Sequence, residues 1–284
     1  MKDLIIGCIT GYDFKDIAPW VNSIEKCGFK GDKAMIIYNC SYDCYNELTR
    51  RGFIVMAFNK DDKNKRFHYQ DNFGPQIVVT RFLHIWSMLK KFNSSDYRYV
   101  ITTDVRDVIF QTNPSNWLEL NIGNKLINVA SESMYYVHED WSNMNMHSSF
   151  GSEIYDHMKY QKIYNAGTLA GCFTAIRDIV LNVYLLSRFN RVHNPDQAAL
   201  NILLSLEPYK SITRFSESED AWACQAGTTV DPSKINKYKQ YLTEPEPHFD
   251  GNYVYTSKGV KFCIVHQYDR VPEWKTKILN LYNE

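Results

Sequence analysis

The feature that most constrains this chain is the alternation of short apolar runs with amphipathic segments across residues 4–103. Residues 4–9 are an apolar run long enough for a buried strand and too short for a helix. Trp20, Val21 and Ile24 then fall at helical spacing, and Cys27-Gly28 offers a stop. Residues 34–38 read as a second strand, 42–51 as a helix and 53–58 as a third strand. Gly74-Pro75 opens a helix whose Val79, Phe82, Leu83, Trp86 and Leu89 form one apolar stripe, with Pro75 suited to the first turn. Residues 99–103 are a fourth strand. This β-α-β-α order predicts an α/β fold with a mostly parallel central sheet flanked by helices.

The second half is less regular. Residues 173–176 suggest a strand, 178–187 a helix and 261–265 a last strand, before a terminal helix from about Pro272. Residues 59–73 are charged and polar and read as a mobile loop, residues 131–163 lack a clean period, and 215–255 are loop-rich. No repeat, low-complexity tract or Gly/Ser/Pro-rich linker divides the chain, so residues 1–284 are expected to form one domain.

Composition narrows the function classes. Lys+Arg and Asp+Glu are equal at 32 each, so no net field recruits nucleic acid or acidic membranes. Aromatics reach 14%, enough for ring-stacking surfaces as well as for the core. The first residues lack a secretory apolar region, and no window approaches the about 20 apolar residues of a membrane span. Of seven cysteines, Cys8, Cys172 and Cys263 lie in apolar runs. Cys40 and Cys44 are the one close pair, without the second pair that a metal or disulfide framework uses. The expectation is a reducing, cytoplasmic location.

The chemistry centres on Thr103-Asp104-Val105-Arg106-Asp107, directly after an apolar strand. In parallel sheets ligands bind at the carboxyl ends of strands, and two carboxylates on a turn there can hold a hard divalent cation against a diphosphate. A capped turn with an internal Asp–Arg pair has the same wording. Three further segments add to it. Tyr164-Asn165-Ala166-Gly167 lets backbone approach a ligand and offers an amide to a sugar hydroxyl. Asn194-Pro195-Asp196-Gln197 reads as a helix start, with Asn194 as cap and Asp196 free to line a cleft. Val265-His266-Gln267-Tyr268-Asp269-Arg270 follows a strand and offers a metal-ligating imidazole and, in Arg270, a phosphate partner.

In this order, these segments resemble the glycosyltransferases of the GT-A fold, particularly their retaining, glycogenin-like branch. The wordings Asp-Val-Arg-Asp and His-Gln-Tyr-Asp-Arg are also similar to those of compact soluble transferases encoded by large algal (chlorella) viruses. The likeness spans most of residues 4–270. It implies a Rossmann-like GT-A domain with a smaller acceptor-side subregion, residues 1–113 being the nucleotide-binding half and 114–284 the sugar and acceptor half. It implies a divalent cation, Mn²⁺ or Mg²⁺, at Asp104, Asp107 and His266, a nucleotide-sugar donor, and a glycan or glycoprotein acceptor. It further implies a soluble protein of the cytoplasm, the host's if the chain is virus-encoded. Thr10, Gly11 and Tyr12 match the segment that holds the nucleoside, with Tyr12 as stacking ring, and Arg81 matches a basic residue near the pyrophosphate. Asn165, Gly167, Asp196 and Gln197 match donor-sugar positions, with Asp196 or Gln197 as the catalytic group beneath the ring. The usual pair is Asp-x-Asp; here Val105 and Arg106 separate the aspartates, so the turn must differ, and Arg106 is expected to point away from the cation or toward phosphate.

Retention of configuration follows from this likeness alone. An inverting enzyme would use a carboxylate base, for which Glu132, Glu139 or Asp140 are candidates. A nucleotidyltransferase would carry a Gly-rich, basic loop after its first strand, where this chain has Thr10-Gly11-Tyr12-Asp13. A phosphohydrolase would need a denser His and Asp set. The non-enzymatic alternative is an inactive nucleotide-sugar or glycan-binding module of the same fold.

Overall fold

The computed structural model describes residues 1–71, 74, 76–190 and 194–283. Its centre is an eight-stranded mixed sheet. Strands β1 (Lys2–Ile9), β2 (Asp32–Ile37), β3 (Phe53–Ala57) and β4 (Tyr97–Thr103) run parallel in the order β4-β1-β2-β3. Both faces of β1 are covered: Ile5 and Ile9 join one apolar cluster, Leu4 and Ile6 another. This is why β1 reads as a continuous apolar run instead of an alternating one. Helix α1 (Phe14–Lys26) packs on the first face, ending where Gly28 takes a positive φ of 78°. Helix α2 (Tyr42–Arg50) begins where the Ser41 hydroxyl accepts from the Cys44 amide. Helix α3 (Ile77–Leu89) lies against the opposite face through Phe82, Ile85 and Leu89; the expected role of Pro75 falls outside the described residues.

Past β4 the chain forms β5 (Val108–Phe110), then β6 (Ile127–Tyr135), α4 (Asp140–Met158), β7 (Lys162–Tyr164) and β8 (Thr168–Cys172). β8 pairs antiparallel with both β4 and β6, so it ties the two halves into one sheet. The periodless stretch expected at 131–163 holds the end of β6, helix α4 and the start of β7. Gly151, at φ 82° and ψ 170°, breaks the helix, so the apolar residues on either side fall out of phase. Residues 173–176 are not a strand: α5 (Phe173–Ser187) is one helix, burying Phe173, Ile176, Ile179, Val180 and Val183. The i, i+3, i+4, i+7 spacing of these residues carries across the expected boundary. Helix α6 (Asp196–Ser205) follows, with Pro195, not Asn194, at the cap position and no side-chain cap. β9 (Thr213–Ser216) adds to β6 in parallel.

A second, three-stranded sheet joins β5 to β10 (Ala223–Gln225) and β11 (Ile264–His266). α7 (Pro272–Tyr282) closes the chain and packs on α1, where the Asn22 amide donates to the Tyr282 carbonyl at 2.6 Å. Within the expected mobile loop, residues 59–61 and 66–68 form a hairpin paired to Cys40–Ser41, while residues 72–73 lie outside the described set. All seven cysteines are free thiols. Among the described residues no helix is long and apolar enough to cross a membrane.

Candidate active site

The site is built where the two sheets meet. β4 ends at Thr103 and delivers Asp104, whose backbone N–H donates to the Gly167 carbonyl at 2.9 Å. Val105 turns inward against Gly7, where an added Cβ would lie 2.5 Å from the Val105 methyl, so only glycine admits this turn. Asp107 then precedes β5, which pairs with β11 so that His266 lies opposite Val108. The Gln267 N–H donates to the Asp107 carbonyl at 2.7 Å. Residues 159 positions apart in sequence are thereby clamped together by ladder hydrogen bonds.

His266 Nε2 lies 3.4 Å from Asp104 Oδ2 and 3.8 Å from Asp107 Oδ1. Its other nitrogen, Nδ1, is 2.7 Å from the Gln225 amide oxygen. That oxygen can only accept, so Nδ1 carries the proton and Nε2 faces the carboxylates. The Gln225 nitrogen in turn donates to Thr168 Oγ1 at 3.1 Å. One donor atom from each of Asp104, Asp107 and His266 falls within 4.8 Å of the others, and among the described residues no other group of His, Cys, Asp and Glu is so placed. Two carboxylates and an imidazole oriented by a neighbouring amide fit Mn²⁺ or Mg²⁺.

Charge around this group is tightly coupled. Burial opposes ionisation of Asp104, yet Arg81 and His266 outweigh it and hold its carboxyl well below the usual range. Burial pushes Asp107 the other way, helped by the negative charges of Asp104 and Asp269. Burial disfavours the His266 imidazolium, but its hydrogen bond to Asp104 and the charge of Asp107 raise its pKa overall. The proton so stabilised occupies the lone pair that a cation would take. Arg81, on α3, pairs with Asp104 through one terminal nitrogen and with Asp196 at 3.0 Å through the other. Burial disfavours its charge, and the two carboxylates more than restore it.

A cavity of about 570 Å³ opens on this group. Its wall includes Arg81, Asp104, Asn165, Gly167, Asp196, Gln197, His266 and Arg270. Asn165 is held from both sides: its Nδ2 donates to Glu132 Oε1 at 2.7 Å and to Gln197 Oε1 at 3.2 Å, and its Oδ1 accepts from the Gly167 N–H at 2.6 Å. A Cβ on Gly167 would sit 2.6 Å from Asp104 Oδ2, so the glycine is what lets the turn close on the carboxylate. Asp107 lies behind this wall, beside Asp104 and His266, and Thr10, Gly11, Tyr12 and Arg106 are not on it either. Thr10 and Gly11 are bound to Asn39 at the end of β1, and Tyr12 packs against the α1-side core. Arg106 does not avoid the aspartates. Its Nη2 lies 3.0 Å from Asp269 and 3.5 Å from Asp107 Oδ2.

Sequence reasoning raised Glu132 and Glu139 only as candidate bases, and both line the cavity; Asp140 lies outside, paired with Lys237. It passed over Trp141, Ser142, Thr228, Asp231 and Lys234 of the wall, and Gln225 behind His266. Trp141 and Ser142 lie in the stretch without period, and Gln225 is one polar residue after an apolar run, so no local signal marked them.

By sequence, no protein-family model and no curated protein matches the chain. Solved structures do match it. Mouse xyloside xylosyltransferase 1, in its apo form, superposes with a TM-score of 0.51 at 13% identity, covering 93% of this chain and 97% of that one. The apo structure of the bifunctional glycosyltransferase WbbM superposes with a TM-score of 0.54 at 13% identity over 98% of this chain. This chain spans 50% of the WbbM structure's length. At such identity the likeness establishes the fold: a mixed α/β domain of the GT-A kind, with a large central sheet flanked by helices.

Proposed function

We propose that this chain is a metal-dependent glycosyltransferase that moves a sugar from a nucleoside-diphosphate donor to a hydroxyl of a glycan or glycoprotein, with retention of configuration. The observation that carries the proposal is the Asp104–Asp107–His266 group, formed where β4 ends beside β11, with Asp104 and His266 on the wall of the cavity, in a fold shared with two glycosyltransferases.

In this reading Asp104, Asp107 and His266 hold a divalent cation, which supplies neutralisation of the diphosphate as it leaves with added negative charge. Arg81 and Arg270 bring fixed positive charge to the same cavity. Asn165, Gly167 and Gln197 contact the donor sugar, and the buried carboxyl of Asp196 lies beneath the ring, where positive charge develops. Thr10, Gly11 and Tyr12 serve the nucleoside end, and Arg106 serves the phosphates. The anomeric bond to the diphosphate breaks, the acceptor oxygen bonds to the same carbon, and the acceptor proton departs on the diphosphate. Residues 1–113 then act as the donor half and 114–284 as the sugar and acceptor half of one domain.

The test is a thermal-shift screen of nucleoside diphosphates and nucleotide sugars, with Mn²⁺ and with EDTA, because a ligand that binds only the folded state raises its stability. Stabilisation by one nucleotide family that needs the metal supports the proposal. No shift across the panel, in folded protein, leaves the inactive module instead. The anomeric configuration of any product, read by NMR, decides retention: an inverted product would move the chemistry to Glu132 as base.

A further inference from the structure

We propose that the wall formed by the start of α4 and residues 227–234 is an acceptor subsite for a neutral sugar, with Trp141 as its stacking face. The assignment rests on the transferase reading only for its role in catalysis; the binding it predicts stands by itself.

The wall has a composition that few ligands suit. Trp141 is 43% exposed, an indole left open in a cavity whose other lining is mainly polar. Besides Asp104 and Asp196, the same cavity is lined by three buried carboxylates: Glu132, Glu139 and Asp231. Each is held in place. Glu139 Oε2 accepts from the Ser142 N–H at 2.7 Å, Asp231 Oδ1 accepts from the Ser233 N–H and hydroxyl at 2.9 and 2.7 Å, and Glu132 Oε2 accepts from Thr228 Oγ1 at 3.1 Å. On this stretch of wall Lys234 lies 3.9 Å from Glu139 Oε1, while Arg81, across the cavity, is already paired with Asp104 and Asp196. Ser142, on the same wall and 2% exposed, keeps a buried hydroxyl with no hydrogen-bond partner.

A pyranose or furanose meets all of these features. Its C–H face covers an indole, and its hydroxyls donate to carboxylates, which when ionised can only accept. An anionic acceptor, such as a uronic acid or a phosphorylated lipid, would add negative charge beside three carboxylates in a poorly solvated space. A lipid chain would find one ring and no apolar trough. The chemistry therefore favours a neutral, hydroxyl-rich acceptor.

The experiment is isothermal titration of the full chain, with nucleoside diphosphate and Mn²⁺ present, using methyl glycosides of neutral hexoses and pentoses and a methyl glucuronide as the anionic counterpart. A neutral glycoside is expected to bind saturably, and Trp141→Ala to weaken it about 10-fold, a loss of the size of one aromatic contact. Trp141→Phe should recover most of that loss. The glucuronide should bind at least about 10-fold more weakly than its neutral partner. With a donor in hand, Trp141→Ala raises the acceptor KM while kcat holds. Equal binding by wild type and Trp141→Ala, equal binding of glucuronide, or no neutral glycoside binding to folded wild type would each overturn the assignment. Trp141-dependent glycoside binding in a protein that shows no metal-dependent nucleotide shift would instead sink the transferase reading and leave the subsite intact. The melting temperature of each variant separates lost binding from lost folding.

Discussion

At the residue scale, the site depends on a few atoms held by neighbours that never meet the substrate. Asp104→Asn removes one charge from the cation group while keeping its shape. It is expected to abolish the Mn²⁺-dependent nucleotide shift and to reduce turnover by more than the about 10–100-fold that loss of an outer partner costs. Unaltered turnover in Asp104→Asn and Asp107→Asn would remove the metal assignment. Gln225→Leu tests the outer partner itself: without its oxygen the His266 ring loses the acceptor at 2.7 Å that fixes Nε2 toward the aspartates. Mn²⁺ affinity should fall about 10–100-fold, read by titration of the melting temperature against metal concentration. Glu132 gives a pH prediction. Burial raises its carboxyl above the ordinary range, so the folded chain holds that proton more tightly than the unfolded chain does. The stability this contributes is present at acid pH and lost as pH rises through the raised value. Glu132→Gln mimics the protonated form. It should match wild type at acid pH and gain on it as pH climbs, in urea titrations across a pH series. A stability difference independent of pH would contradict this.

At the element scale, the site needs a small sheet held in register against a large one. Ser23 on α1 is one of the pins: its hydroxyl accepts from the Phe110 N–H at 3.0 Å and donates to the Trp20 carbonyl at 2.8 Å. Trp20 in turn donates to Thr103 at 2.8 Å, so the helix grips both β5 and the end of β4. Ser23→Ala leaves the buried Phe110 N–H unpaired and should cost about 1–3 kcal/mol in chemical denaturation. Because β5 registers β11, and so His266, the same variant is expected to weaken Mn²⁺ binding although Ser23 is not among the cation group. Wild-type metal affinity in a destabilised Ser23→Ala would show that the small sheet holds its register without this contact.

At the scale of the whole molecule, β4 of the first half pairs with β8 of the second, and β5 of the first with β11 of the second. Each of the two main sheets is therefore shared between the halves. The chain is expected to unfold in one cooperative transition, with circular dichroism and tryptophan fluorescence coinciding. Nucleoside diphosphate with Mn²⁺ should move that transition upward as a whole, and EDTA should reverse the move. Two separated transitions would mean that the halves are independent.

The sequence by itself determined the parallel half of the sheet, because burial on both faces gives β1 and the inner part of β2 short continuous apolar runs that are easy to recognise. It also determined the order of the segments that line the cavity, since turns after strands carry their own chemistry in Asp104-Val105-Arg106-Asp107 and Asn165-Ala166-Gly167. What lay beyond it had no local signature. The kink at Gly151 hid α4 by breaking its period, and the continuity of α5 was masked because its first turn is as apolar as a strand. Only the tertiary structure decided that Arg106 turns to Asp107 and Asp269, that Gln225 orients His266, and that Trp141 opens onto the same cavity as Glu132, Glu139 and Asp231. These are pairings between residues far apart in the chain, fixed by sheet register and by the balance of buried charges, and neither is written in the spacing of neighbours along a sequence.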